Sequence, residues 1–218
     1  MLGILAHDLR GPIGVISGYV EILEITGEEL SENVKKSHAA ITDTAAFMSQ
    51  LIEEVLAVAI AEAGEVKLNC HLADLAVLTR KAIDTATITA NKKNIALIAD
   101  TRPSWIEVDA LKIEQVVNNL ISNAIKFSSP GSEINLSVRP LKDHCIIRIG
   151  DHGTGIPPAI RDNLFKPFCK GQKGTEGERT NGLGFYICSL LVEAHQGRIE
   201  VESEPRRGTT FSVKLPIR

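Results

Sequence analysis

The chain has 218 residues, of which 44% are hydrophobic, and a formal net charge of −3. Its length suits one large domain or two small ones, and its charge gives no reason to expect nucleic acid or an anionic membrane as a partner. No apolar run approaches the roughly 18 residues that span a bilayer, so we expect no membrane segment in this sequence. Four cysteines are scattered without a C-x-x-C pair. This favours reduced thiols and a cytoplasmic location.

Two long amphipathic helices are predicted in the first 64 residues. Residues 1–25 carry apolar side chains at spacings of three and four, and a second helix keeps a coiled-coil alternation from Val34 to Ala59, with His38 in its seam. A lone hairpin cannot cover two apolar stripes. We therefore expect residues 1–64 to form a four-helix bundle with a second copy of the chain. The alternative is that the hairpin packs on the rest of its own chain.

His7 lies outside the apolar stripe of the first helix. At about 100° per residue it points roughly 160° away from the centre of the stripe, so its imidazole is expected to face solvent. Asp8 follows directly, and Gly11-Pro12 should kink the helix one turn later. A nucleophilic histidine must be exposed, although a single exposed histidine is usually an ordinary surface residue.

Residues 65–218 alternate between short strands and helices, which predicts a mixed α+β domain with helices on one side of a mainly antiparallel sheet. The predicted strands are Val66–Cys70, Ile95–Ala99, Trp105–Val108, Ile134–Val138, Cys145–Ile149, Arg198–Glu202 and Thr209–Leu215. Longer helices are predicted after the N-caps Asp74 and Asp109 and from Leu183, and a short one over Arg161–Phe165. Residues 166–181 have the composition of a mobile loop.

The helix after Asp109 places Asn119, Asn123 and Lys126 on one face, opposite an apolar face. Carboxamide oxygens suit a hard cation such as Mg²⁺, and an ammonium group suits a phosphate. Taken alone, this face is equally consistent with a solvated helix surface.

Three glycine clusters follow that helix, at Asp151–Pro157, Thr180–Gly184 and Gly208–Phe211. The carboxylate of Asp151 could accept a hydrogen bond from an amino group such as that of adenine, while the glycines let a ligand approach the backbone. The second cluster opens a helix, where free N–H groups suit phosphates. Neither a P-loop nor a dinucleotide fingerprint is present.

The order of these pieces resembles the catalytic core of a sensor histidine kinase of two-component signalling, over essentially the full chain. The corresponding boxes are His7–Pro12 (phospho-acceptor), Asn119–Lys126 (N box), Asp151–Gly155 (first glycine box), Leu164–Phe168 (F box), Gly182–Gly184 (second glycine box) and Gly208–Phe211 (last glycine box). The implied fold is a dimeric helical hairpin over residues 1–64, followed by the α/β sandwich of the histidine kinase, gyrase and chaperone ATP-binding domain over residues 65–218.

The resemblance also implies roles for single residues. His7 would take the γ-phosphoryl group of ATP, and Asp8 would orient it and accept its proton. Asn123, assisted by Asn119, would bind Mg²⁺. The remaining nucleotide-binding residues would be Lys126 at the phosphates, Asp151 at the adenine amino group, Gly153, Gly155, Gly182, Leu183, Gly184 and Thr210. An aspartate of a response regulator would then receive the phosphoryl group.

Two other functions stay open, an ATP hydrolase of the gyrase and chaperone fold and a dimeric scaffold that binds nucleotide weakly. The hydrolases carry a glutamate one turn before the Mg²⁺-binding asparagine, where this chain has Asn119, which favours transfer to His7. Two positions depart from the kinase pattern: Gly11 replaces a Thr or Asn tied to dephosphorylating the partner, and Thr180 replaces a glycine.

Overall fold

The computed structural model describes residues 13–18, 20, 32–62, 66–169, 174–176, 178 and 182–217. The chain divides into two compact units, Met1–Glu65 and Val66–Arg218. Within the described residues, no helix is both long and apolar enough to cross a membrane. His7, Asp8, Gly11 and Thr180 lie outside the described residues.

The first unit contains helical residues 13–18 and 20 and the long helix α1, Glu32–Glu62. His38 of α1 is buried, and its Nε2 lies 2.6 Å from the carbonyl oxygen of Val20. Ala45, two turns along the same helix, is buried too. The seam position predicted for His38 is therefore confirmed, and its imidazole ties the two helical segments together.

Part of the predicted seam of α1 stays exposed in this chain. Val34, Ile41 and Met48 recur every seven residues and are 43%, 46% and 42% exposed. A heptad-spaced apolar stripe is the surface that helices bury against one another in a bundle. The described part of the chain does not cover this stripe.

The second unit is an α+β domain. Its helices are α2 (Leu75–Lys92), α3 (Ala110–Phe127), α4 (Pro158–Arg161) and α5 (Gly184–Ala194). Its strands are β1 (His71–Asp74), β2 (Ala96–Thr101), β3 (Trp105–Val108), β4 (Glu133–Pro140), β5 (His144–Asp151), β6 (Arg198–Glu204) and β7 (Gly208–Pro216). Strands β1 and β3 form an antiparallel pair, and the five-stranded sheet has the order β2-β4-β5-β7-β6. Among the described strands only β2 and β4 pair in parallel, so the predicted mainly antiparallel sheet is confirmed.

One face of the five-stranded sheet is apolar because side chains alternate along each strand. The buried residues of this face are Ile134, Leu136, Val138, Cys145, Ile147, Ile149, Phe211, Val213 and Leu215. Helices α2, α3 and α5 contact the strands of the sheet. The apolar side of α3 contributes Ile113, Val116, Val117, Leu120, Ile121, Ala124 and Ile125 to this core. Helix α3 is therefore held rigidly on the sheet, with its polar face left for other contacts.

Asp109 fixes the beginning of α3, as predicted. Its carboxylate accepts hydrogen bonds from the N–H groups of Lys112 at 3.2 Å and Asn69 at 3.0 Å. Burial raises the pKa of this carboxyl, but the two N–H donors and the positive charge of Lys112 outweigh burial and hold the pKa below its ordinary value of 3.8. The N–H of Asp109 donates to Nε2 of His195, at the end of α5, at 3.1 Å. The two helices that carry the N box and the second glycine box are thus joined.

The other predicted N-cap, Asp74, is also confirmed. Its Oδ1 accepts from the N–H of Ala76 at 3.0 Å and from the N–H of Ser104 at 2.7 Å. The second bond ties the start of α2 to the residue that precedes β3.

Two predicted elements are wrong in position. Residues Val66–Cys70 are not a strand; the strand is His71–Asp74, because these residues pair with Trp105–Val108. The short helix is Pro158–Arg161 rather than Arg161–Phe165, since a proline at the first helical position presets the backbone there.

Candidate functional site

A cavity with an empty volume of about 490 Å³, including space open to solvent, lies beside α3 and the ends of β5 and β7. Its apolar lining includes Ala124, Phe127, Ile156, Ile160, Leu164, Phe185 and Phe211. Asn123, Asp151 and Thr209 supply polar groups. An apolar cleft with a few fixed polar groups suits a planar heterocycle that carries hydrogen-bonding atoms.

Asp151 ends β5 and is buried, with 8% of its surface exposed. Its Oδ1 accepts hydrogen bonds from the N–H of Gly153 at 2.8 Å and the N–H of Thr209 at 3.2 Å. Within the described part of the chain, Oδ2 has no hydrogen-bond partner. Burial raises the pKa of this carboxyl, an effect that the two N–H donors and the charge of His152 offset only in part. One oxygen is thus fixed by the backbone, and the other can accept a hydrogen bond from a ligand.

Glycines let two loops close tightly around Asp151. A Cβ on Gly153 would overlap the carbonyl oxygen of Phe127, and a Cβ on Gly155 would overlap the carbonyl oxygen of Glu204. Gly155 also has a φ of +65°, which L-residues with a side chain rarely adopt. At both positions the missing side chain makes room for protein backbone, and the expectation that a ligand approaches these glycines stays a prediction.

Replacing Gly155 with Ala should destabilise the domain more than replacing Gly131 with Ala. Gly131 has a φ of +78° but open space around its Cβ position, so Gly131→Ala should cost only the backbone strain of about 1–2 kcal/mol. Gly155→Ala adds the overlap with Glu204, and its total cost should exceed about 3 kcal/mol. Thermal unfolding of both variants measures the difference. Equal destabilisation would show that the loop shifts freely and that the close contact is unimportant.

Asn119 and Asn123 are half-buried on one face of α3. The Nδ2 of Asn123 donates to the backbone oxygen of Asn119 at 2.9 Å, which fixes the amide and leaves Oδ1 as its acceptor atom at the cavity. A Cβ on Gly184 would lie 3.2 Å from Oδ1 of Asn119. The structure therefore brings Asn119 of the N box next to Gly184 of the second glycine cluster, 65 residues further along the chain (184 − 119).

The beginning of α5 and the end of α3 supply the groups predicted for phosphates. Gly182 has a φ of +73°, and a Cβ there would overlap the carbonyl oxygen of Cys169. Leu183 is fully buried directly before α5, so it anchors the first turn, where backbone N–H groups and the helix dipole favour an anion. Lys126 lies half-buried in the last turn of α3.

The ligand atoms available at the cavity determine how Mg²⁺ could be bound there. Among the described residues, no group of three or more His, Cys, Asp or Glu side chains could hold a metal ion. A hard cation here would take the Asn123 amide oxygen together with phosphate oxygens and water, a ligand set that Mg²⁺ accepts. The residues present fit an ion that arrives with the nucleotide rather than one resident in the protein.

Several residues that line the cavity have no role assigned from the sequence, among them Thr209 and Phe185. Thr209 lines the cavity, whereas Thr210 lines a neighbouring groove that also includes Asp151, so the role of Thr210 stays a prediction. Phe185 stacks on Phe211, with ring centroids 4.8 Å apart and planes 23° apart. The only sequence feature that could have indicated a role for Phe185 is its position directly after Gly184. An apolar residue at the start of a helix, however, most often belongs to the core.

Comparison with known proteins gives two family matches. Residues 1–64 match the family described as His Kinase A (phospho-acceptor) domain. Residues 108–218 match the family described as histidine kinase-, DNA gyrase B- and HSP90-like ATPase. The second match covers more than half of the chain.

Individual relatives agree with these matches. "Sensor protein SrrB" of Staphylococcus aureus is 32% identical over 215 residues, which cover 97% of this chain but 37% of that protein. The chain therefore spans little more than a third of this curated relative. The structure of full-length ShkA in complex with AMPPNP superposes with a TM-score of 0.80 at 25% identity, covering 99% of this chain and 45% of ShkA. Histidine kinase ThkA in complex with the response regulator protein TrrA gives a TM-score of 0.68 at 23% identity, covering 99% of this chain and 60% of ThkA.

The order of the boxes, the two family matches and the two-unit architecture agree with one another. The chain belongs to the sensor histidine kinase family and comprises a His Kinase A region followed by an ATPase domain of the histidine kinase, DNA gyrase B and HSP90-like type.

Proposed function

We propose that this chain is the catalytic core of an ATP-dependent protein-histidine kinase. Residues 1–64 would form the dimer and carry the acceptor His7, and residues 65–218 would bind ATP. The observation that carries the proposal is the state of Asp151, a buried carboxylate with one oxygen fixed by two backbone N–H groups and the other available at an apolar cavity. Such a carboxylate is suited to accept a hydrogen bond from the adenine amino group.

The other site residues would position the triphosphate. Asn123, with its amide fixed by Asn119, would offer Oδ1 to Mg²⁺, and the start of α5 and Lys126 would face the phosphates. Mg²⁺ would neutralise charge on the phosphate oxygens. A nitrogen of His7 would attack the γ-phosphorus as the bond to the β-phosphate oxygen breaks, ADP would leave, and Asp8 would accept the imidazole proton. Because the phosphoryl transition state is loose, positioning and charge neutralisation supply most of the catalysis.

Two partners follow from this function. The exposed heptad stripe of Val34, Ile41 and Met48 supports a homodimer through α1, because a second copy would bury it. The phosphohistidine would pass its phosphoryl group to an aspartate of a response regulator receiver domain, in keeping with the complex of ThkA with TrrA. A cytoplasmic location for this part of the protein fits both partners.

ATP hydrolysis is the weaker candidate. Among the described residues that line the cavity, Asp151 is the only carboxylate, and its Oδ1 is already fixed by two backbone donors. The position that would have to activate water is held by Asn119, whose carboxamide cannot act as a base. A scaffold that binds nucleotide weakly would differ from the kinase in its ATP affinity, which calorimetry measures directly.

The test of the proposed function is incubation with γ-labelled ATP and Mg²⁺, followed by acid and alkali treatment of the labelled protein. A phosphorus–nitrogen bond to histidine is lost in acid and survives alkali, so we expect this pattern of stability. Acid-stable label would mean a hydroxyl acceptor and would contradict the proposal. Bound ATP without label would favour the scaffold.

Asn123→Asp should lower the affinity for Mg·ATP by about tenfold or more, because the variant loses the Nδ2 hydrogen bond to Asn119 and adds a negative charge near the phosphates. The charge-matched control is Asn135→Asp, on the exposed side of β4. Calorimetry gives the affinity, and size-exclusion chromatography should show an unchanged dimer. A monomeric Asn123→Asp variant would show that the metal site or the dimer contact is misplaced.

A further inference from the structure

A buried lysine joins three segments of the second unit at the end of α3. Lys93 follows α2 and is only 6% exposed. Its Nζ lies 3.2 Å from the carbonyl oxygen of Ile125, 3.3 Å from that of Lys126 and 3.0 Å from Oγ1 of Thr175. It also forms an ion pair with Oε1 of Glu178 at 2.5 Å. The three N–H donors of one ammonium group are thus shared among four oxygens.

The segment that contains Thr175 is itself folded onto the end of α3. The N–H of Thr175 donates to the carbonyl oxygen of Lys126 at 2.9 Å, and Oγ1 lies 2.9 Å from the carbonyl oxygen of Ser128. Gly174, which is buried, donates its N–H to the carbonyl oxygen of Glu178 at 3.1 Å. These bonds hold Thr175 directly against the last turn of the helix that carries Lys126.

Electrostatic interactions explain why the contact between Thr175 and the end of α3 depends on Lys93. The last carbonyls of a helix carry partial negative charge, which a cation stabilises. A buried ammonium group is unfavourable unless it is fully paired, and Glu178 supplies the opposite charge. Burial raises the pKa of the Glu178 carboxyl, but the hydrogen bond and charge of Lys93 and the N–H donors of Glu178 and Glu176 outweigh burial and leave the pKa lowered. The Glu178 carboxylate therefore stays charged near neutral pH.

We propose that Lys93 is a positioning residue for nucleotide binding: with Thr175 and Glu178 it anchors the segment of residues 174–176, which precedes the second glycine box, to the end of α3, beside Lys126. We call these three residues the loop anchor. The role rests on the proposed function, since the loop and Lys126 would meet the phosphates of ATP. By holding this segment in place before ATP arrives, the loop anchor reduces the ordering that binding must supply.

The test uses Lys93→Met and Glu178→Ala in the full chain, with Lys92→Met as the matched control because Lys92 is the neighbouring but exposed lysine. Hydrogen exchange of the nucleotide-free protein is followed at the amides of Gly174 and Thr175. We expect at least tenfold faster exchange in both anchor variants and no change in Lys92→Met. The KM for ATP in autophosphorylation should rise several-fold in both anchor variants, while kcat changes by less than twofold. The double variant should not exceed the larger single effect, since partners in one network are not additive.

Each possible result either supports or overturns the role of the loop anchor. Unchanged exchange at Gly174 and Thr175 in Glu178→Ala would overturn the loop anchor, and this variant keeps the Lys93 contacts with α3 if Lys93→Met fails to fold. Faster exchange with an unchanged KM would show a structural contact without a positioning role. Because exchange is measured without nucleotide, it reports on the loop anchor even if the protein proves not to be a histidine kinase, which the acid and alkali test decides separately.

Discussion

Asp151→Asn should lower the affinity for ATP by at least about tenfold while leaving the domain folded, since a hydrogen bond to a charged group contributes about 1.5–3 kcal/mol. The carboxamide oxygen can still accept from the N–H groups of Gly153 and Thr209, so the loops keep their fixed point. The carboxamide nitrogen would then occupy the position of Oδ2. Its N–H groups would face the N–H groups of the adenine amino group, and two donors cannot form a hydrogen bond. Calorimetry with ATP and thermal unfolding measure the two effects.

Purine riboside triphosphate, which lacks the adenine amino group, is the matched control ligand. The native protein should prefer ATP over this analogue, and Asp151→Asn should bind both with similar, weak affinity. If the variant kept the full preference for ATP, another group would have to recognise the amino group.

The raised pKa of Asp151 sets the sign of a pH dependence. The charged carboxylate is the form that accepts from adenine, so ATP affinity should fall as pH falls through the raised pKa, at higher pH than for an ordinary aspartate. The nucleotide-free domain should behave in the opposite way. Its folded state holds the proton more tightly than the unfolded chain does, so protonation of Asp151 adds stability as pH falls. Affinity and unfolding measured across the same pH range would reveal these opposite trends.

His7→Gln should abolish label transfer from ATP and change ATP affinity by less than about twofold. Glutamine has no imidazole nitrogen that can attack phosphorus, and no other group can replace a covalent acceptor. The cavity around Asp151 is built from residues 123–211, in a different compact unit from His7. Labelling and calorimetry on the same preparation measure the two quantities.

The control for this variant is His71→Gln, which removes an exposed histidine from β1 and should keep full labelling. Label that persisted in His7→Gln with the acid-labile, alkali-stable pattern would move the acceptor to another histidine. A large loss of ATP affinity in His7→Gln would contradict the separation of acceptor and nucleotide sites.

The sequence predicted elements well where the signal is local. Asp109 reveals the start of α3 because an N-cap acts on N–H groups only a few residues away, and β3 was predicted at its observed bounds, Trp105–Val108. The β1 strand was misplaced because alternation in Val66–Cys70 describes a possible strand, whereas the observed strand depends on its partner. Likewise, β2 extends to Thr101 because it pairs in parallel with β4. The hydrophobic pattern of β2 alone cannot reveal this pairing.

The residues of the site also separate into those with a local sequence signal and those without one. Asp151, Asn123 and Gly184 stood out because an acid, a carboxamide and a glycine are unusual where they occur, and their order matched a family. Lys93 gave no signal, since a lysine after a helix is normally solvated. Its partners Thr175 and Glu178 follow about 80 residues later, so only the folded chain brings the three together.

The position of Asp151 at the end of β5 implies that the base and the phosphates of a nucleotide would be bound in different ways. Strands β5 and β7 lie inside the sheet, and Asp151 and Thr209 face each other as the last pair of their ladder. Opening this end requires breaking the ladder between two interior strands, and core strands generally open only at a high free-energy cost. The phosphate end, by contrast, depends on a helix terminus and a loop held by a few side chains. Under the proposed function, base recognition would therefore be preformed and phosphate contact adjustable, so substitutions in the loop would change the affinity for ATP without altering which nucleobase is bound.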